Sequence, residues 1–359
     1  MGWKAVTYAV VCAALALGLV AQAAELKSDH KKEEPTQTGP PIVLPRPPRP
    51  VRNPIADLVG RCQVLEGHHY RGLTVFPVQV RGYAPGVNPL TLDEALARNA
   101  VSITEKGAGQ VPVLVLENRG GQYVFVMAGE ILVGGKQNRI LREDVLLPPH
   151  SGLIELPAYC VEEGRWTKRS NGFQSDGNVA SSDIRLKAQN AAPQASVWSG
   201  VRETSKALRQ ESRSGDFNDV LKRGEVSREL GAYREEFCRV MPRRVVGMVV
   251  AQNGRFVGVD LFGGTSLFFR LRVKVLDSYS VGVLYRDRRI PAVPARGAAQ
   301  QFLNRVLSAS YRTQGTPGAG VIGRAVGNGV DAKGLVFGDR VIHMSMFPAV
   351  TILPVPIPR

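Results

Sequence analysis

Three observations predict an α+β fold. Apolar, β-branched runs separated by turn residues crowd residues 60–166 and return after 243. Between 180 and 240 those runs vanish, and Arg, Lys, Glu, Gln, Ala and Leu take over at helical spacing. No regular strand–helix–strand alternation is present, so a doubly wound parallel sheet is not expected. The reading is an antiparallel β-rich N-terminal part, central helices, then further antiparallel hairpins with packed helices.

The chain opens with Lys4, an uncharged apolar run from Ala5 to Val20, and the small-x-small triplet Ala21-Gln22-Ala23. That is the order of a secretory signal peptide over residues 1–24, which predicts a secreted or periplasmic protein. The alternative is an uncleaved membrane anchor, because Ala5 to Ala24 is just long enough to cross a bilayer. Lipid anchors are excluded: Val11 precedes Cys12 where a small residue is needed, and Val6 stands where myristoylation needs Ser or Thr. Residues 25–55 are charged and then proline-rich, a composition that cannot bury enough apolar surface to offset its ordering entropy. They read as a disordered tether before a single domain over 56–359, sheet-rich at 60–166, helical at 180–240, and hairpin and helix at 243–350.

Within that domain, Leu73 to Val80 is strand-like, and Pro77 points to an edge strand. Thr91-Leu92-Asp93-Glu94 is a capping box ahead of a short helix, EALARN. Val111 to Leu116 and Tyr123 to Met127, joined by ENRGGQ, read as a hairpin; Val145 to Leu147 and Leu153 to Pro157 flank PPHSG, a second turn. Residues 70–165 are thus expected to form a mostly antiparallel, two-layered sheet, and 180–240 two or three helices. VVGMVVAQ and RFVGVDLF flank Asn253-Gly254, the pair that best tolerates the positive φ of a type I′ turn. Thr265 to Tyr279 follows as an amphipathic helix with Leu267, Leu271 and Val275 on one face. Gly297 to Ser308 reads as another helix, and a last hairpin turns at Gly338-Asp339.

The formal charge is +15, and a basic surface suits acidic partners such as phosphorylated small molecules. The cations are nevertheless spread along the chain, and from 200 to 240 they alternate with Glu and Asp as on a solvated helix face. Nucleic acid needs a basic patch interleaved with exposed aromatics, and only Arg165-Trp166-Thr167-Lys168-Arg169 comes near, so it is not the expected partner. Membrane contact is expected only through an uncleaved N-terminal segment. Cleavage leaves Cys62, Cys160 and Cys238, whose spacings fit no zinc pattern. Either all three are small buried side chains, or one disulfide forms and one thiol stays free.

Two motif-like features carry little. Gly318-Ala319-Gly320-Val321-Ile322-Gly323 matches GxGxxG, but a helix and Thr316-Pro317 are expected before it and no helix after it, so it reads as a surface loop. His68-His69 lack a third ligand, and neighbouring strand residues face opposite ways. His343 shares a face with Val341 and Ser345, opposite Ile342, Met344 and Met346; it fits a hydrogen-bonded structural role or a ligand contact.

The informative stretches are GEILVGGKQNR (129–139) and CVEEGRW (160–166). In the first, Gly134-Gly135 permits a tight turn that brings Lys136 and Arg139 back toward Glu130, with Gln137 and Asn138 as neutral donors. In the second, Cys160 and Glu162 share a face and Gly164 ends the strand, letting Arg165 and Trp166 fold over it. Spacing alone also fits a strand end locked by a salt bridge under an aromatic lid.

EKGAGQVPVLVLEN, GEILVGGKQNRIL and LPAYCVEEGRW together resemble the ARG and Rhodanese-Phosphatase-superfamily-associated protein domain family, whose members carry similar GE-x-L-x-GAKQNR and CVE-x-GRW phrases. The resemblance continues through QNAAPQASVWSGV, QNGRFVGVDLFG and VIHMSMF, over roughly residues 60–350. Gly135 departs from the pattern, where Ala is usual. The family's association with ADP-ribosylglycohydrolase- and phosphatase-type partners implies ADP-ribose or nucleotide-derived ligands, and an exported member is expected to meet other anionic or sugar ligands as well.

Two functions are consistent with these residues. In a hydrolase or transferase, Glu130 or Glu162 would be the general acid or base and Cys160 a nucleophile, with Lys136, Gln137, Asn138, Arg139, Arg165, Trp166 and His343 gripping an anionic or polyhydroxylated small molecule. In a non-catalytic binding or envelope-interaction module the same clusters recognise a ligand or only lock strands. No metal site is predicted, and the sequence names no cofactor.

Overall fold

Apolar residues on both sides of a strand demand cover on both sides, and that requirement organises this molecule. The computed structural model describes residues 53–107, 112–284 and 293–349. The expected signal peptide, and the expected tether up to residue 52, lie outside the described residues. Asn53 caps α1 (Pro54–Gly60), its side chain accepting from the Ala56 amide, and Pro54 sits in the first turn where its missing N–H costs nothing. The last two residues of the expected tether are therefore helical.

After α1 come β1 (Cys62–Val64), β2 (His68–Tyr70), β3 (Leu73–Val80), β4 (Leu90–Thr91), α2 (Leu92–Ala97), β5 (Val101–Glu105) and β6 (Val113–Asn118). Next are β7 (Val124–Val126), β8 (Glu130–Gly134), β9 (Arg139–Leu141), β10 (Val145–Leu147), β11 (Gly152–Cys160) and β12 (Phe173–Val179). Four helices follow, α3 (Ser182–Gln189), α4 (Gln194–Ala207), α5 (Phe217–Lys222) and α6 (Gly224–Val240), where two or three were expected. The chain then runs through β13 (Gly247–Gln252), β14 (Arg255–Phe262), α7 (Thr265–Leu284), α8 (Arg296–Asn304), β15 (Ser310–Gly315), β16 (Val321–Gly327), β17 (Val330–Phe337) and β18 (Arg340–Pro348). The fold is α+β.

The strands form three sheets: a nine-stranded sheet in the order β1-β3-β13-β14-β18-β17-β16-β15 with β2 also on β3, a three-stranded sheet β10-β7-β4, and a six-stranded sheet β12-β8-β9-β11-β6-β5. All pairs are antiparallel except β4 with β7. The large sheet is covered on both faces. Leu73, Val75, Met248 and Val250 pack with α6 and α7, whereas Phe76, Val78, Val249 and Val259 pack with α1 and α8. Helix α7 is amphipathic in its first half only; Lys274 to Val283 are all buried, polar residues included, because the helix is enclosed by α6, β12 and the large sheet.

Several local expectations give way to tertiary context. Strand β3 is interior. The Pro77 carbonyl accepts from Leu65 in the gap between β2 and β1, so its missing N–H, on that same side of the strand, interrupts no ladder. The expected ENRGGQ hairpin does not form, while the second turn, at PPHSG, does. Strand β6 pairs with β5 and β11, and β7 with β4 and β10, so the two connections turn together from one sheet to another. Asn118 fixes that corner: its Nδ2 donates to the carbonyls of Gln122 and Pro148, both at 2.8 Å. The hairpins at 253–254 and 338–339 do form, and Asn253 and Gly254 have φ of 46° and 78°. The capping box of Thr91 and Glu94 is intact. The predicted second helix runs as α8 followed by a 3₁₀ turn to Ser308. The GxGxxG stretch lies in the β15–β16 hairpin, with a strand after it where a dinucleotide site needs a helix.

Candidate functional site

The GGKQN segment is the turn between β8 and β9. Gly134 and Gly135 have φ of 148° and 50°, and a Cβ on Gly134 would stand 2.4 Å from the Gly172 carbonyl oxygen. That backbone approach is open to glycine alone. Asn138 then organises the turn. Its Oδ1 accepts from the Gly134 amide at 3.1 Å, its Nδ2 donates to Asp216 at 2.8 Å, and its own amide donates to Glu162 at 3.0 Å. Gln137 donates to the Glu163 carbonyl at 3.2 Å, and Arg139 donates to the Gln137 carbonyl at 3.0 Å with Glu105 at 3.7 Å.

CVEEGRW meets this turn directly. Cys160 ends β11 opposite Arg139, and Glu162 bridges to Asp216. Arg165 forks onto Glu162, Nε to Oε1 at 2.8 Å and Nη2 to Oε2 at 2.7 Å, and also donates to the Gly135 carbonyl at 2.7 Å. The two phrases are one hydrogen-bonded unit, with Glu162, Gln137, Asn138 and Arg139 all buried.

Three expected partners lie elsewhere. Glu130 begins β8 and turns inward to Lys274 of α7 and the Met127 amide; it does not meet Lys136 or Arg139, because the β8–β9 turn projects the other way along the hairpin. Burial pushes its carboxyl up despite the Lys274 ammonium. His343 sits with Asp144 and Asp260 at 2.7 and 2.9 Å. A β-bulge at Ile342 puts Val341 on the opposite face from His343, so Ile342 rather than Val341 shares its side. Trp166 is no lid: it is 57% exposed, with the Lys136 ammonium 5.9 Å from its ring.

Cys160 is also placed badly for a nucleophile. Burial pushes its thiol up to about 11, more than the nearby Arg139 pulls it down, so near pH 7 it is neutral. Among the described residues Cys62, Cys160 and Cys238 are free thiols. His68 pairs with Glu236 and His69 with Thr74, and no cluster of three metal-ligating side chains exists among the described residues.

Asp216 is the residue that pattern reading missed. Burial lifts its carboxyl to about 6; the Asn138 hydrogen bond opposes this and the neighbouring Glu162 charge adds to it. Burial raises Glu162 too, but the Arg165 fork, the Asn138 amide and Ser214 outweigh it and hold Glu162 below the usual range. Asp216 is the N-cap of α5, accepting from the Asn218 amide at 3.0 Å. Nothing local marks its second role.

Beside this pair opens a hollow of about 470 Å³, lined by Glu163 and Gly164 from the second phrase, by Arg202, Ser205 and Lys206 of α4, and by the 211–215 loop. Gly164 lets the two loops touch, its amide donating to the Ser214 carbonyl at 2.7 Å. A second hollow of about 390 Å³ lies over the start of α7, among Tyr83, Arg244 and Thr265, and neither phrase reaches it.

The model of the ARG and Rhodanese-Phosphatase-superfamily-associated Protein domain matches residues 61–347, a span that contains both phrases, Asp216 and the hollow. The chain belongs to this family. In this member of the family, the domain's first matched residue follows directly on α1 and its last is Phe347 of β18, so the match takes in all three sheets. No curated protein and no solved structure matches the chain.

Proposed function

We propose that the protein is exported through residues 1–24 and binds an anionic, hydroxyl-bearing small molecule in the hollow between α4 and the 211–215 loop. The ligand class is that of ADP-ribose, nucleotides and sugar phosphates, in keeping with the ARG and phosphatase association recorded in the family's name. The observation that carries this is the lining: Lys206 and Arg213 have no carboxylate partner among the described residues, and Ser205, Ser212 and Ser214 stand beside them. Unpaired cations beside hydroxyls suit a phosphate attached to a sugar.

A catalytic reading draws on one further observation. Glu162 and Asp216 are neighbouring carboxyls with acidities pushed apart, the pattern in which one group stays ionised and the other gives a proton. In that reading Asp216 is the acid, and Glu162, both of whose oxygens are taken by Arg165 and the Asn138 amide, holds a fixed negative charge beside it.

Thermal shift with ADP-ribose, ribose 5-phosphate and a nucleotide sugar tests the binding. A ligand at a hundred times its Kd stabilises by about 2.7 kcal/mol, and the shift should vanish in a Lys206→Glu/Arg213→Glu variant. No shift with any of the three, or a full shift in that variant, overturns the proposal. Turnover that is lost in Asp216→Asn while binding remains selects the enzyme; a shift without turnover in the parent selects the binding module.

A further inference from the structure

The loop after Arg165 carries Trp166, Lys168 and Arg169 on the surface, and its frame is rigid. Arg165 ties it to the carbonyls of Gly135 and Thr167, at 2.7 and 2.8 Å. The Arg169 amide donates to the Gly135 carbonyl at 2.9 Å, and Ser170 donates to the Gly172 carbonyl at 2.6 Å. Trp166 is 57% exposed at the end of this hydrogen-bonded frame, a single large amphipathic ring among basic neighbours. Its rim is basic. Residues 165–172 (RWTKRSNG) contain no acid, Lys136 stands against the ring, and the carboxylate that Arg169 faces, Asp176, is already held by Lys222 and Asn218.

We propose that this loop docks the domain on an anionic lipid surface, Trp166 entering the headgroup layer while the exposed Lys168 and Arg169 meet lipid phosphates. This contact is independent of residues 1–24 and of the α4 hollow. An indole at headgroup depth flanked by Lys and Arg is the arrangement that interfacial anchors use. A nucleic-acid groove needs successive rings for stacking, and the next ring along the loop, Phe173, is buried.

The test uses the full chain and the difference between its tryptophan emission and that of Trp166→Phe, which isolates this ring whatever the N-terminal segment does. With vesicles of brominated phosphatidylglycerol, Trp166 emission should shift to the blue and be quenched, and zwitterionic phosphatidylcholine vesicles should leave it unchanged. A Lys168→Glu/Arg169→Glu variant should need about tenfold more anionic lipid, or greater, for the same quenching. Absence of Trp166 quenching on anionic vesicles, equal quenching on zwitterionic ones, or a blue shift produced only by single-stranded RNA each overturns the proposal. The altered side chains are exposed, and unchanged melting of the variants verifies their fold.

Discussion

His343 has a carboxylate at each ring nitrogen, Asp144 at Nδ1 and Asp260 at Nε2. Carboxylates only accept, so both contacts are hydrogen bonds only when the ring is doubly protonated. Burial alone would lower its pKa, but the Asp144 and Asp260 carboxylates outweigh burial and raise it to about 9. A raised pKa contributes stability that is complete below the ordinary value near 6.5 and is lost as pH climbs through 9. Unfolding free energy measured by denaturant titration should therefore fall by roughly 3 kcal/mol across that window, and a His343→Gln variant should be flat there and weaker at pH 6. An equal slope in the variant would assign the alkaline loss to another group. The sequence offered His343 as a structural or ligand-contacting residue; its two carboxylates stand 199 and 83 positions away, beyond any local pattern.

Elements whose partners are adjacent in the chain were legible, and those paired at a distance were not. Asn253-Gly254 specifies a turn between strands that have nothing between them, and the hairpin forms. ENRGGQ gives the same kind of turn signal, yet the strands it joins pair elsewhere, because a turn signal fixes a change of direction and not the partner. The β8–β9 turn lies between these cases: its tightness was readable from Gly134-Gly135, but its reason, the close pass of the Gly172 backbone, was not. Gly134→Ala should cost about 3 kcal/mol or more, since neither the positive φ nor a backbone oxygen can yield cheaply. Gly135 differs in what it meets: there an added Cβ, at a φ that is also positive, reaches the Phe173 ring and the Glu105 carboxylate rather than a backbone oxygen. A Gly134→Ala melting point within a degree of the parent, by calorimetry, would remove this account.

Across the whole molecule, α7 is the axis on which buried charge is balanced. Its Lys274 reaches Glu130 of β8 and Asp93 of α2, and its Ser278 and Tyr279 bond the Ala180 carbonyl and Asp260. Arg185 of α3 completes the set, pairing with Asp260, whose carboxyl it helps hold far below the usual range against the opposing effect of burial. Buried ions that lose one partner are costly, whereas replacing a whole pair with apolar groups is close to neutral. Lys274→Met should thus destabilise by about 3–5 kcal/mol, and adding Glu130→Leu should restore most of the loss; additive losses would refute the pairing. By itself the sequence determined the fold class, the two hairpins whose strands are neighbours in the chain, at 253–254 and 338–339, and the Thr91 cap, because those depend on short-range periodicity and turn chemistry. Only the tertiary structure decided which carboxylate meets which cation. That choice rests on desolvation, and a charge is desolvated by segments that the linear pattern keeps tens to hundreds of residues apart.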